Sequence, residues 1–116
     1  MFLRNLELNN FRNISKINFE FNKNINIFIG NNAQGKTNVL ESIYFLAITR
    51  SHRTHNELNL IRNEELYTKV SGVFNDDTEN VHSLSILLNA KGKKVSVDNL
   101  VQKRISSYLS RLNVIM

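Results

Sequence analysis

Lys36 and Thr37 close an octet, Gly30-Asn31-Asn32-Ala33-Gln34-Gly35-Lys36-Thr37, whose spacing G-x-x-x-x-G-K-[ST] suits the capture of phosphate. Gly30 and Gly35 permit backbone angles and a close approach that a Cβ would block. Successive N–H groups of such a loop turn inward and form an anion nest. Lys36 would bring a mobile positive charge to the β- and γ-phosphate oxygens, and Thr37 a hydroxyl ligand for Mg2+. Ala33 stands where many such loops carry glycine; it keeps its N–H, so the nest is still expected to form.

The elements that must position this loop are visible on both sides of it. Ile25-Asn26-Ile27-Phe28-Ile29 reads as a buried strand. Thr37 to Thr49 reads as a helix, with Val39, Leu40, Ile43, Tyr44, Leu46 and Ala47 at helical spacing. Strand, glycine loop and helix in that order distinguish a site from a chance glycine turn. Residues 2–9 and 17–21 alternate as half-buried strands, joined by a turn holding Asn9, Asn10, Arg12 and Asn13. Residues 50–65 are polar and irregular, with one short helical turn near Glu57–Arg62. Three more strands are expected at 66–74, 82–89 and 93–98, with turns at Asn75-Asp76-Asp77-Thr78 and Asn89-Ala90-Lys91-Gly92. Asp98 or Asn99 could cap a last helix striped by Val101, Ile105, Tyr108, Leu109 and Leu112, and Val114-Ile115-Met116 reads as the opening of another strand.

Composition narrows the function classes. With 116 residues the chain makes one domain at most, and 41% hydrophobic against 22% charged residues suits a globular core. No apolar run reaches the roughly 20 residues of a membrane span, and the opening Met1-Phe2-Leu3-Arg4 is not that of a signal peptide. A cytoplasmic location and no membrane partner are the expectation. The absence of cysteine removes disulfides and thiolate metal sites. His52, His55 and His82 lack the spacing and further ligands of a metal centre, and Ser51 and Ser71 have no triad-like partners. A formal net charge of +5 makes an anionic partner plausible. The phenylalanines sit at apolar spacing and read as core. Lys91, Lys93 and Lys94 form a basic hairpin tip, and Lys103-Arg104 a basic helix face; such groups keep a surface soluble, or add phosphate contacts in a DNA-binding protein. A P-loop ATPase also needs an acidic residue at the end of a later strand to hold Mg2+. Asp76, Asp77 and Asp98 read instead as turn and cap residues, so half of a catalytic site is missing: residues 1–116 are expected to be either a fragment or an unusual nucleotide-binding module.

Leu8-Asn9-Asn10-Phe11-Arg12-Asn13, the stretch Gly30 to Tyr44, Thr49-Arg50-Ser51-His52-Arg53-Thr54 and Glu57 to Arg62 together resemble the RecF family. RecF is similar to the ATPase head of structural-maintenance-of-chromosomes (SMC) proteins, without the long coiled coil. The resemblance implies an α/β fold, a P-loop NTPase of ABC type with a mixed sheet around the P-loop helix. Residues 1–116 would be the N-terminal part of that head, its first lobe, without the Walker B strand or signature motif. It implies ATP with Mg2+ as ligands of Gly30 to Thr37, and an ATP-dependent homodimer with nucleotide between two heads. It implies DNA, single-stranded and gapped or duplex, as partner in recombinational repair and replication, RecO and RecR as co-workers in loading RecA, and support of the SOS response. A slow, DNA-stimulated ATPase is implied for the full dimer, and no hydrolysis for these residues alone. Arg12 matches an arginine lying near the nucleotide in related heads, and reads equally as a solvated turn residue. Arg50 and Arg53 match basic residues near nucleotide or DNA, with a solvated loop as the alternative. Two other functions fit the same residues: another small SMC-like head ATPase, or a non-catalytic nucleic-acid-binding module with a vestigial P-loop.

Overall fold

The computed structural model describes residues 2–21, 33–51 and 53–115. The strand expected at Ile25–Ile29, the first P-loop residues Gly30-Asn31-Asn32 and His52 lie outside the described residues. Among the described residues the elements run β1 (Phe2–Phe11), β2 (Ile14–Glu20), α1 (Ala33–Ile48), a 3-10 turn (Glu57–Leu60), β3 (Tyr67–Asn75), β4 (Val81–Asn89), β5 (Gly92–Val97), β6 (Leu100–Gln102) and α2 (Ile105–Ile115). The six strands form one sheet in the order β2-β1-β3-β4-β5-β6, each neighbouring pair antiparallel.

Period-two alternation divides the sheet into two faces. Leu6 and Leu8 of β1, Val70 and Phe74 of β3, Leu84, Ile86 and Leu88 of β4, and Val95 and Val97 of β5 are buried together on one face. Phe11 at the end of β1, Val39, Phe45 and Leu46 of α1, Leu60 of the 3-10 turn and Tyr108 of α2 complete that core. The Tyr108 hydroxyl donates to the Leu46 carbonyl, which satisfies the one polar atom this buried ring carries, and burial pushes its phenol well up from 10.0. Gly72 lets α1 approach the sheet: a Cβ there would meet Leu46 Cδ2 at 2.7 Å.

Several sequence expectations need correction. The inward face of α1 is Asn38, Val39, Glu41, Ser42, Phe45 and Leu46, whereas Leu40 and Tyr44 of the expected stripe are 59% and 43% exposed. A helix apolar on all sides gives periodicity little to choose from. The helix also begins at Ala33, four residues before Thr37. Asp98 and Asn99 do not cap α2. Both take positive φ, 51° and 67°, and make the tight β5–β6 turn, so Val101 lies on a strand and is 56% exposed. Val114 and Ile115 continue α2 and open no strand.

Two polar links missed by the sequence reading fasten the periphery. Lys93 belongs to no solvated tip: its Nζ donates to the Thr49 carbonyl at 2.7 Å and to Glu57 at 2.9 Å, and stands 5.9 Å from the Phe45 ring centroid. A cation thereby meets the carbonyl end of α1. His82 bridges two turns, Nε2 to Asp76 at 3.0 Å and Nδ1 to Asp98 at 3.2 Å. Its hydrogen bond to Asp76, then that to Asp98, raise its proton affinity above the ordinary 6.5.

Filling the Gly72 gap should loosen the α1–sheet contact. Gly72→Val is expected to cost about 1–3 kcal/mol through overpacking and to lower the thermal midpoint by several degrees in a circular dichroism melt.

Candidate functional site

The first turn of α1 contains the second half of the glycine-lysine motif. Residues at a helix start have backbone N–H groups without intrahelical acceptors, and here those of Ala33, Gln34, Gly35 and Lys36 occupy that position. No acidic side chain lies in this turn, and Lys36 and Thr37 are both exposed. Orphan donors, the positive dipole end, an ammonium and a hydroxyl together make a donor set for a polyanion. Among the described residues no group of three histidines, cysteines or carboxylates could hold a metal ion. Among the described residues no helix is long and apolar enough to cross a membrane.

One turn further along, α1 carries a buried carboxylate. Glu41 is fully buried. Arg12 reaches it with two bonds, Nε to Oε1 at 2.9 Å and NH2 to Oε2 at 2.8 Å. Ser51 Oγ donates to Oε2 at 2.6 Å, and Arg53 NH1 lies 3.2 Å from Oε1. Arg53 also donates to Asn38 Oδ1 at 3.0 Å, while Asn38 Nδ2 donates to Asn13 Oδ1 at 2.8 Å. Burial alone would push the Glu41 carboxyl up; the Arg12 and Ser51 hydrogen bonds and the two guanidinium charges outweigh it, leaving the group below its ordinary 4.5.

Backbone geometry fixes the direction of Arg12. Asn10 and Arg12 both take φ of 55°, in the left-handed region that arginine seldom adopts. The 3-10 segment holds this bend in place: Arg12 N–H donates to the Leu60 carbonyl at 2.7 Å and Arg62 N–H to the Asn10 carbonyl at 2.8 Å. A polar cleft of about 610 Å3 opens beside it, lined by Arg12, Asn13, Asn38, Asn59 and Arg62 among others.

The structure therefore brings together Arg12, Arg53 and the helix of Lys36 and Thr37, and leaves Arg50 exposed on the loop outside the cluster. Arg12 is no solvated turn residue: it faces a buried carboxylate at the edge of the polar cleft. Residue types alone did not reveal Glu41 as the centre. The available signal was a charged residue between Val39 and Ile43 on a helix whose neighbours are apolar.

The family model described as AAA ATPase domain matches residues 1–113. The DNA replication and repair protein RecF of Enterococcus faecalis is 50% identical over the whole chain, and that of Pediococcus pentosaceus 49%. In both cases the match covers 31% of the relative, so the chain spans about a third of the length of these proteins. Two solved structures of the recombination mediator protein RecF in the RecFOR pathway superpose on it, one with ATPrS at a TM-score of 0.83 and one with ATP at 0.81. Each is 30% identical; they cover 91% and 90% of this chain and are themselves covered over 29% and 28%. The resemblance to RecF and the ABC-type head fold read from the sequence are thus borne out.

Glu41 should act as a structural keystone with a definite pH signature. Because its folded-state proton affinity is depressed, its stabilisation is complete above the unfolded carboxylate value and is lost as pH falls through the folded one. Glu41→Ala is expected to cost about 3–5 kcal/mol at neutral pH, as expected for stranded buried charge. Urea titrations at pH 7 and pH 3 should show this difference shrinking in acid.

Proposed function

We infer the function from family and site together: the chain belongs to the AAA ATPase domain family, and its α1 N-terminus forms part of an ATP site serving DNA repair and replication. The observation that carries this reading is the exposed Lys36–Thr37 pair on an acid-free helix start, in a fold that superposes at 0.81 on RecF with ATP. Lys36 would neutralise β- and γ-phosphate oxygens. The orphan N–H groups of Ala33 to Lys36 would cradle phosphate, with Gly30-Asn31-Asn32 completing the loop. Thr37 Oγ would be the Mg2+ ligand, and bound Mg2+ would supply charge that neutralises the triphosphate. Arg12 and Glu41 would hold the helix and the Asn10–Asn13 turn in register, and the cleft beside Arg12 would accept the sugar or base end of the nucleotide.

The remaining catalytic groups would come from beyond these 116 residues. One feature supports a larger head: Leu40, Tyr44 and Ile48 leave an apolar stripe of α1 exposed, at 59%, 43% and 37%, as on a helix meant to carry a second layer. The reading is then RecF-like: an ATP-dependent homodimer that binds single-stranded and gapped or duplex DNA and works with RecO- and RecR-like partners in loading RecA and in the SOS response. Slow hydrolysis in the full dimer would release it, and the setting would be the cytoplasm. Arg50, free of the Glu41 cluster, is the better candidate for a DNA contact; Arg53 would act mainly through Glu41.

A fluorescent ATP analogue with Mg2+ tests the reading. Lys36→Ala is expected to weaken binding about 10- to 100-fold, the worth of a charge-assisted contact, and to remove any effect of ATP on DNA binding. Unchanged nucleotide binding and unchanged DNA binding in the variant would instead mark the P-loop as vestigial.

A further inference from the structure

Strand register gathers dispersed residues into rows on the sheet face turned away from the helices. Lys16 pairs with Asn9, Asn9 with Lys69, Lys69 with Leu87, and Leu87 with Lys94. One row thus crosses β2, β1, β3, β4 and β5 with a lysine on every second strand. At roughly 4.8 Å per strand, successive lysines start about 10 Å apart and the row spans about 20 Å. All three are exposed, and among the described residues none has a carboxylate partner. The adjacent row holds Ser71, Ser85 and Ser96 as cross-strand neighbours. Of the acidic residues of this face, Glu7 shares the serine row, opposite Ser71, and Glu20 lies one row further, opposite Asn5; both are two or more strands from Lys94.

The other flank of the lysine row is aromatic and apolar. Tyr67 stands two residues before Lys69 on the same face, opposite Asn89, and is 42% exposed. Leu66 beside it is 85% exposed, and a shallow cleft of about 420 Å3 lies between Leu66, Tyr67, Leu87 and Asn89.

We propose that this sheet face binds single-stranded DNA, with Tyr67 stacking on an unpaired base and Lys16, Lys69 and Lys94 meeting successive stretches of phosphate backbone. The proposal rests on the DNA-binding reading above and assigns it a surface. Ammonium groups on flexible stems contact phosphates without reading sequence. An exposed ring next to them favours unpaired bases, whose faces a duplex keeps stacked. The serine row offers neutral hydroxyls to the same backbone.

Fluorescence anisotropy of a labelled oligothymidylate, titrated with the whole chain over a range of salt and with Mg2+ and ATP present, tests this. Lys69→Gln and Lys94→Gln are each expected to reduce the salt slope by about 0.7. Tyr67→Ala should weaken binding about tenfold or more, with Tyr67→Phe restoring it, and neither should change affinity for a blunt duplex comparably. Circular dichroism melts confirm that each variant is folded. Binding by the parent chain with unchanged affinity and slope in all variants would overturn the surface assignment and leave the DNA reading standing. No binding of any DNA by the parent chain would overturn both.

Discussion

A carboxylate with no exposure to solvent must be neutralised where it lies, and Glu41 imposes that requirement on two separate segments. Arg12 answers it from the β1–β2 turn, Ser51 and Arg53 from the loop after α1. None can leave without stranding charge, so the helix bearing Lys36 and Thr37 is locked to both neighbours. The left-handed backbone at Arg12 shows the same constraint acting in the other direction. An unfavourable φ persists because a bidentate ion pair and the hydrogen bond to Leu60 determine it.

That arrangement separates rigidity from reactivity. The start of α1 bears the exposed Lys36, while its third turn is fixed by charge and its end by Lys93 on the Thr49 carbonyl. The sheet does the rest. Antiparallel pairing puts apolar residues under α1 and α2 and leaves the opposite face polar, with cation spacing set by strand spacing alone. A nucleotide site on the helix side and a nucleic-acid face on the other would then share one rigid slab.

Much of this was legible in the sequence where chemistry is local. Alternation in Ile17 to Phe21, in residues 66–74 and in residues 82–89 located strands β2, β3 and β4, and Asn75 to Thr78 and Asn89 to Gly92 located their turns. The glycine-lysine octet, together with the Leu8 to Asn13 opening and the Thr49 to Thr54 run, pointed to the family. What failed was long-range or degenerate. Arg12 and Glu41 are 29 residues apart, and nothing local says that an arginine in a turn will fold back onto a helix. Lys93 looked like a surface lysine because its acceptors, Thr49 and Glu57, lie more than 30 positions away. The inward face of α1 was misjudged because Leu40 and Tyr44 are as apolar as Phe45, and only packing against Gly72 chooses between them. Asp98-Asn99 served equally well as a cap or as a tight turn, and pairing of Val97 with Leu100 decided for the turn.

The central claim is that the locked α1 start holds the triphosphate of ATP. A crystal structure of the chain grown with Mg2+ and a non-hydrolysable ATP analogue tests it most directly. The account predicts phosphate density capping α1, with Lys36 Nζ and the N–H groups of Ala33 to Lys36 in hydrogen-bond contact, and with the Arg12–Glu41 pair intact. Nucleotide seated elsewhere, or an α1 start left bare at saturating analogue, would contradict it.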